Sequence, residues 1–382
     1  MRLGDCCKTN LHTYSDKEKW SLIRYLDTGS ITEGRIDEIQ TLYPGVDKIP
    51  SRARRKASVG DILFSTVRPN QKHYGIIEVG TENLLVSTGF TVVTVDTTIA
   101  DPYFIYYYLT QSSVIESLQA IAEQSTSTYP SIKPSDIEDI ELDVPELETQ
   151  KKIGSTLRML DRKIALNEEI NDNLQQQAAA LFSSLYDRTN TEVRFTDLIQ
   201  ILGGGTPKTG ENTYWNGNIA FFTPKDVGTP YTLITEKTIT EEGLSHCNSR
   251  LYPVNTVFVT ARGTVGKVGM SGVPMAMNQS CYALVGKETH QLLVYFYTLK
   301  AVDRLKHKAS GAVFDAITTR DFESEQIMKL SDDDAKAFLC IAEPMFQKVL
   351  NNCIENLRLS TLRDSLLPKL MSGEVDVSAV QL

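Results

Sequence analysis

The residues best equipped for chemistry in this 382-residue chain are cations. Lys48, Arg52, Arg54, Arg55 and Lys56 form the densest basic cluster, and Arg68 and Lys72 follow it closely. Later in the chain stand Lys208, Lys225, Arg262 and Lys267. Such groups neutralise phosphates, and an arginine fork can donate two hydrogen bonds to guanine O6 and N7. The same residues also serve as a solvated loop or as members of structural ion pairs. For Arg68 and Arg262, base contact and salt bridge stay open as equals. Lys300, Arg304, Lys306, His307 and Lys308 crowd a helix end, where they hold phosphates or only favour the helix C-terminus. The net charge of −9 argues against a simple basic coat on DNA. It does not exclude DNA binding, because phosphate contact depends on charge within a Debye length of roughly 8–10 Å.

Groups for catalysis are present but not arranged. The histidines His12, His73, His246, His290 and His307 are scattered, and no general base has a partner beside it in sequence. The cysteines Cys6, Cys7, Cys247, Cys281, Cys340 and Cys353 form no CxxC pair and have no histidine at metal-ligand spacing. Reduced thiols and no metal site are expected. Asp101-Pro102-Tyr103-Phe104 is similar to the acidic-Pro-Pro-aromatic element of amino methyltransferases. It lacks the second proline, and no glycine-rich cofactor loop precedes it, so it reads as a turn entering a helix. Gly203-Gly204-Gly205-Thr206-Pro207-Lys208-Thr209-Gly210 lacks the Gly-Lys-Ser/Thr order of a phosphate loop. The expectation is a chain with no catalytic site. No apolar run approaches the roughly 20 residues that span a membrane, and the first residues carry no apolar signal core. A cytoplasmic location is expected.

What positions the cations is a repeat. Arg2-Leu3-Gly4-Asp5 resembles Arg194-Phe195-Thr196-Asp197, and Phe64-Ser65-Thr66-Val67-Arg68 resembles Phe258-Val259-Thr260-Ala261-Arg262. Tyr107-Tyr108-Leu109 resembles Tyr297-Thr298-Leu299, and Ile132-Lys133-Pro134 opens a stretch matching that from Ile317. Each repeat begins strand-rich: Asp61–Val67, Val92–Val95, Thr256–Thr260 and Ser280–Val285 are β-branched and aromatic. One short helix is predicted near 101–120 and its counterpart near 290–308. Ser125–Tyr129 and Ser310–Phe314 are small-residue loops at matching places, read as packing turns or as loops able to approach DNA.

Each repeat ends in a long helix. Ile153, Leu157, Leu160, Ile164, Leu174, Ala178, Leu181 and Leu185 follow a heptad, and so do Phe338, Ala342, Met345, Val349, Leu359, Arg363, Leu366 and Leu370. Two central seam positions are Asn in each helix, Asn167 and Asn171 in the first and Asn352 and Asn356 in the second. An Asn at such a position costs stability and fixes register. Antiparallel pairing would bring Asn167 to Asn356 and Asn171 to Asn352, about a pseudo-twofold axis. Helices of about 50–60 Å would form a rigid spacer between two similar domains.

These residues resemble a family. Gly203-Gly204-Gly205-Thr206-Pro207-Lys208, Tyr214-Trp215 and Ile219 through Val227, with its Thr223-Pro224-Lys225-Asp226, are similar to the opening of a target recognition domain in specificity (S) subunits of type I restriction–modification systems. Tyr25 through Ile31 looks like another version of that element. Pro145 through Ile153 resembles the family's central helix, and Leu366-Leu367-Pro368-Lys369-Leu370-Met371-Ser372-Gly373-Glu374-Val375 resembles its C-terminal signature. The resemblance implies an α+β fold: two strand-rich target recognition domains, at 1–144 and 189–331, separated by two long antiparallel coiled-coil helices at 145–188 and 332–382. It implies double-stranded DNA with a bipartite target as ligand, two methyltransferase (M) subunits and restriction (R) subunits as partners, and S-adenosylmethionine on the M subunits. The first repeat lacks the Gly-Gly-Thr-Pro element, and the loop Pro50–Lys56 has no close copy in the second. The two half-sites should therefore differ. The other reading is a coiled-coil scaffold that binds only protein partners.

Overall fold

The computed structural model describes residues 1–124, 129–228, 230–308 and 316–377. Contacts divide the chain into two units, Met1–Lys163 with Leu359–Leu382, and Ile164–Arg358. The loop Ser310–Phe314 and residues 125–128 lie outside the described residues.

The first unit contains β1 (Cys7–Thr9), β2 (Ile23–Leu26), β3 (Gln40–Leu42), β4 (Ala53–Lys56), β5 (Ile62–Ser65), β6 (Tyr74–Ile76), β7 (Leu84–Ser87), β8 (Phe90–Val95), α1 (Pro102–Leu109), α2 (Ser112–Glu123) and the first part of α3 (Leu147–Tyr186). One sheet runs β1-β8-β5-β6, the other β3-β2-β7-β4. Side chains alternate across a strand, so β5 serves two cores. Leu63 joins Leu26, Leu84, Val86 and Phe90 between the sheets. Ile62 and Phe64 face the helices, with Phe104, Ile153, Leu157, Leu367 and Leu370.

The second unit repeats this plan with β9 (Ile199–Gly203), β10 (Trp215–Phe222), β11 (Tyr231–Thr232), β12 (Lys237–Ile239), β13 (Val257–Thr260), β14 (Val268–Ser271), β15 (Met275–Met277), β16 (Cys281–Gly286), α4 (Gln291–Lys308) and most of α5 (Asp332–Met371). Its sheets run β9-β16-β13-β14-β11 and β12-β10-β15. In both units the second sheet holds one parallel pair: Leu26 meets Val86, and Phe222 meets Met277.

Two details depart from the sequence reading. The single helix expected at 101–120 is two, because Gln111 takes an extended ψ of 139° between α1 and α2. Thr110 Oγ1 donates to the Tyr107 carbonyl and Gln111 Nε2 to the Tyr108 carbonyl, satisfying groups that a continuing helix would use. The alignment of Phe64 with Phe258 is one residue out. Phe258, like Leu63, faces the inter-sheet core, whereas Val259 faces the helices as Phe64 does. A slip of one residue exchanges the faces of a strand. Matching backbone bonds fix the true register: Ile132 N–H donates to the Thr66 carbonyl, and Ile317 N–H to that of Ala261, each at 2.9 Å. Arg262 is therefore the counterpart of Val67, not of Arg68.

Asp101 caps α1 by accepting from the Phe104 N–H at 2.9 Å, with Pro102 in the first turn, so the tetrapeptide is a helix entry. Buried Gln150 on α3 accepts from the Asp101 N–H and donates to the Ile99 and Pro145 carbonyls. Gly154 lets α1 come close to α3, since a Cβ there would lie 2.6 Å from Asp101 Oδ1.

The long helices pair antiparallel within each unit. In the second unit Asn167 Nδ2 donates to Asn356 Oδ1, and Asn352 Nδ2 to Asn171 Oδ1, both at 2.8 Å. Asn167 also donates to Glu355, and Asn356 Nδ2 to the Ile164 carbonyl. In the first unit Arg363 Nη1 stands 2.6 Å from Asp161 Oδ1, and Tyr107 Oη donates to the other carboxylate oxygen at 2.5 Å. Burial pulls the Arg363 guanidinium down, yet Asp161 and Asp364 together push it above its ordinary value. Burial, and then Asp161, raise the Tyr107 phenol well above its usual range. The repeat puts Phe346 and Ala178 at the places of Asp161 and Arg363, and both are buried in the second unit's apolar core. Arg363→Met leaves a half-buried carboxylate without its cation. It should lower unfolding free energy by about 3 kcal/mol, with partial recovery in the double variant Asp161→Asn/Arg363→Met, as read by urea denaturation.

Candidate nucleic-acid interface

In the second unit, four loops meet at one end of the sheets. β9 ends at Gly203, which pairs with Tyr282. The following turn has no room for side chains: an ideal Cβ on Gly204 would strike the backbone of Asn278, and one on Gly205 would lie 2.6 Å from the Asn248 nitrogen. Gly204 and Gly205 thus let one turn lie against two other backbone segments. Thr206 Oγ1 then bonds Gln279 Oε1, and Trp215 Nε1 donates to the Lys208 carbonyl at 3.1 Å. The Asn278 N–H donates to the Phe222 carbonyl, and the N–H groups of Ala261 and Arg262 both donate to that of Ser280. Asp226 closes the Thr223–Asp226 turn by accepting from the Thr223 N–H and hydroxyl, and it also holds the Glu236 N–H. Thr264 Oγ1 bonds the Pro224 carbonyl.

This cluster carries all four cations expected from the second repeat. Lys208, Arg262 and Lys267 are exposed and, among the described residues, have no carboxylate within ion-pair distance. Lys225 stands 3.4 Å from Glu236, an exposed pair of little energetic weight.

The first unit builds the corresponding end differently. β4 lies along β7, with Lys56 opposite Leu85 and Arg55 opposite Val86, after a bulge at Ala53. Its other edge takes the chain from His12 to Tyr14: Tyr14 N–H donates to the Arg54 carbonyl, and Lys56 N–H to that of His12. The turn after β7 is held from both sides, since Thr88 N–H donates to the Arg52 carbonyl and Thr66 N–H to that of Gly89. Arg52 and Arg55 flank this turn on one side and the Thr66–Arg68 loop flanks it on the other.

Six of the cations named from the first repeat do not play one role. Lys56 is 2.5 Å from Glu18 and 5.2 Å from the Trp20 ring centroid. Lys72 is 2.5 Å from Glu33. Arg68, at φ 48°, lies 5.8 Å from the Tyr129 ring centroid. Arg52 is exposed and Arg54 half-buried. Arg55 is half-buried, its Nη2 3.4 Å from the Thr88 carbonyl and its buried Nε without an acceptor. Burial lowers its guanidinium from the ordinary value. The cluster near 300–308 is mixed: Lys308 and Arg304 both reach buried Glu325, while Lys300 lies over the Tyr186 ring.

Register reveals one residue that sequence inspection missed. Leu84 corresponds to Met275, and Tyr252 pairs with Met275 as β4 pairs with β7. That makes Ala57 the counterpart of Tyr252, and Arg55 the counterpart of Arg250. The loop Pro50–Lys56 therefore does have a structural counterpart in the second repeat. The available signal was the turn two residues later, where Val59-Gly60 and Val254-Asn255 carry positive φ at Gly60 and Asn255. Different residue types hid it.

Among the described residues, no group of three His, Cys, Asp or Glu side chains is placed to hold a metal ion. At these sheet ends the exposed cations, amides and loop backbone supply hydrogen-bond donors. This chemistry suits phosphates and base edges.

Comparison with known proteins agrees with this. The sequence pattern of the type I restriction modification DNA specificity domain matches residues 48–176 and again 188–329. The chain is 24% identical over 455 residues to the type I restriction enzyme HindI specificity subunit of Haemophilus influenzae, covering 98% of each. It is 22% identical over 346 residues to the MjaIX specificity subunit of Methanocaldococcus jannaschii, covering 83% of this chain and 78% of that one. Its fold is similar to the type I restriction–modification system S subunit from M. genitalium, with a TM-score of 0.61 at 16% identity over 97% of this chain and 95% of that one.

The glycine turn makes a local prediction. Gly204→Ala should destabilise the second unit by about 1–3 kcal/mol, because its Cβ meets backbone that cannot yield cheaply. Gly210→Ala, with nothing within 4 Å, should leave the melting temperature unchanged.

Proposed function

We propose, from the premise that this chain belongs to the type I restriction–modification DNA specificity family, that each repeat reads one half of a bipartite duplex target. The observation that carries this reading is the duplicated sheet end. Both units gather cations around an equivalent turn, Ser87–Gly89 in the first and Asn278–Ser280 in the second. The loops that present those cations are unlike, which supports two different half-sites. Lys208, Arg262, Lys267 and Arg52 hold phosphates and set orientation, while base edges supply sequence information.

In this reading the chain does no chemistry. The paired helices α3 and α5 set the gap between half-sites, with Asn167, Asn171, Asn352 and Asn356 fixing their register. The same helices dock two M subunits, and Met159, Leu362 and Ile341, apolar yet exposed on them, suit such contacts. S-adenosylmethionine sits on the M subunits, and R subunits join to cut DNA. The scaffold alternative lacks a reason for exposed cations without a carboxylate partner among the described residues at both sheet ends, Arg52 in the first unit and Lys208, Arg262 and Lys267 in the second.

Sequencing host DNA for methylation, with the chain co-expressed with its M subunit, should show a split adenine-methylated motif. An intact complex that leaves no motif would favour the scaffold. Lys208→Ala/Arg262→Ala should weaken duplex binding and flatten the plot of log affinity against log salt by about 1–2, near 0.9 per lost phosphate contact. An unchanged slope would remove these residues from the interface.

A further inference from the structure

Arg55 and Arg250 occupy one structural position in two loops of unlike sequence. Arg55 lies opposite Val86, and in the second unit the Tyr252–Met275 pair, with Ser249 Oγ accepting from the Met277 N–H, brings Arg250 alongside the equivalent end of the inner parallel strand, next to the turn that ends it. Val86 and Met277 are fully buried between the sheets, so both arginines stand at the rim of that core. The flanking residues differ: Arg54 against Ser249, and Lys56 against Leu251. Only the arginine persists in this strip.

Neither arginine is spent on a carboxylate. Among the described residues no acidic group lies within ion-pair distance of either. Arg55 is the more telling of the two. A partly buried guanidinium with a buried, unpartnered Nε is costly, since that N–H is desolvated and left without an acceptor. Its carbonyl contact at 3.4 Å is long. Lys56, one residue on, shows what a structural cation looks like here, with a carboxylate and an indole as partners. A strand also fixes the base of the Arg55 side chain, which limits the freedom lost on binding.

We infer that Arg55 and Arg250 are twin specificity residues, one per repeat, each presenting its fork to a guanine edge in its own half-site. This rests on the DNA-reading function proposed above. Phosphate contact would not need the arginine to stay at one rim position, because exposed Arg52 in the first unit and Lys208 and Arg262 in the second already offer it at these sheet ends. Guanine offers two acceptors, O6 and N7, that match the fork, and an ammonium cannot copy that match.

The test is selection from a library of randomised duplexes by the full-length chain, comparing wild type with Arg55→Lys and Arg250→Lys. Wild type should enrich a two-part sequence. Arg55→Lys should lose a guanine at one position of one half, with discrimination there falling about ten-fold or more. Arg250→Lys should do the same in the other half only. Enrichment of the wild-type sequence by both variants, or an even loss of affinity across all sequences, overturns the assignment. Thermal melting of each variant separates misfolding from altered reading, and exposed Arg250 keeps the test open should Arg55→Lys not fold. A wild-type chain that enriches nothing overturns the DNA-reading function itself, and the twin assignment with it.

Discussion

The antiparallel seam of the two long helices is the constraint on which both units depend. Each core is completed by residues distant in sequence: Ile153 and Leu157 meet Leu367 and Leu370 in one, and Ala178 and Phe182 meet Phe338 and Phe346 in the other. Neither globule can close without a helix from the opposite repeat. The amide layers at Asn167–Asn356 and Asn171–Asn352 therefore govern more than local geometry. A shift of one heptad would unpair buried amides and misplace the apolar residues of both cores at once. Apolar contact alone discriminates weakly among registers, whereas an unpaired buried amide is penalised at every wrong one.

Much of the architecture was legible because it is periodic. Heptads, β-rich segments and the duplicated order of motifs are one-dimensional signals, and the Asn partners follow from the repeat spacing alone. What was not legible depended on the third dimension. Phe64 and Phe258 look alike, but one faces helices and the other faces a sheet, so identity of residue type misled the alignment by one position. Arg250 was hidden for the opposite reason, since its neighbours share position and not chemistry with those of Arg55. The cations of the basic cluster were visible, but their engagement was not. Glu18, Glu33 and Glu236 approach Lys56, Lys72 and Lys225 only through the fold.

The two repeats also show two solutions to one packing problem. The turn that ends the inner parallel strand must be braced on both sides. The first unit does this with an added ladder, Thr13 against Arg55 and β4 against β7. The second uses glycines that let backbone lie on backbone, with side chains contributing Thr206–Gln279 and Thr223–Asp226. A common frame thus carries different surface chemistry, and the net charge of −9 is compatible with a basic surface confined to such ends.

The ion pair between Asp161 and Arg363 has a bearing on ancestry. A duplicated chain starts with interchangeable halves, and each half can mate with a copy of itself. Here that symmetry is broken. Two copies of the first repeat would set Asp161 against Ala178, and two copies of the second would set Arg363 against Phe346. Either arrangement leaves a half-buried charge without its partner. The pair thus gives each helix a reason to mate with the other repeat's helix rather than with a copy of its own.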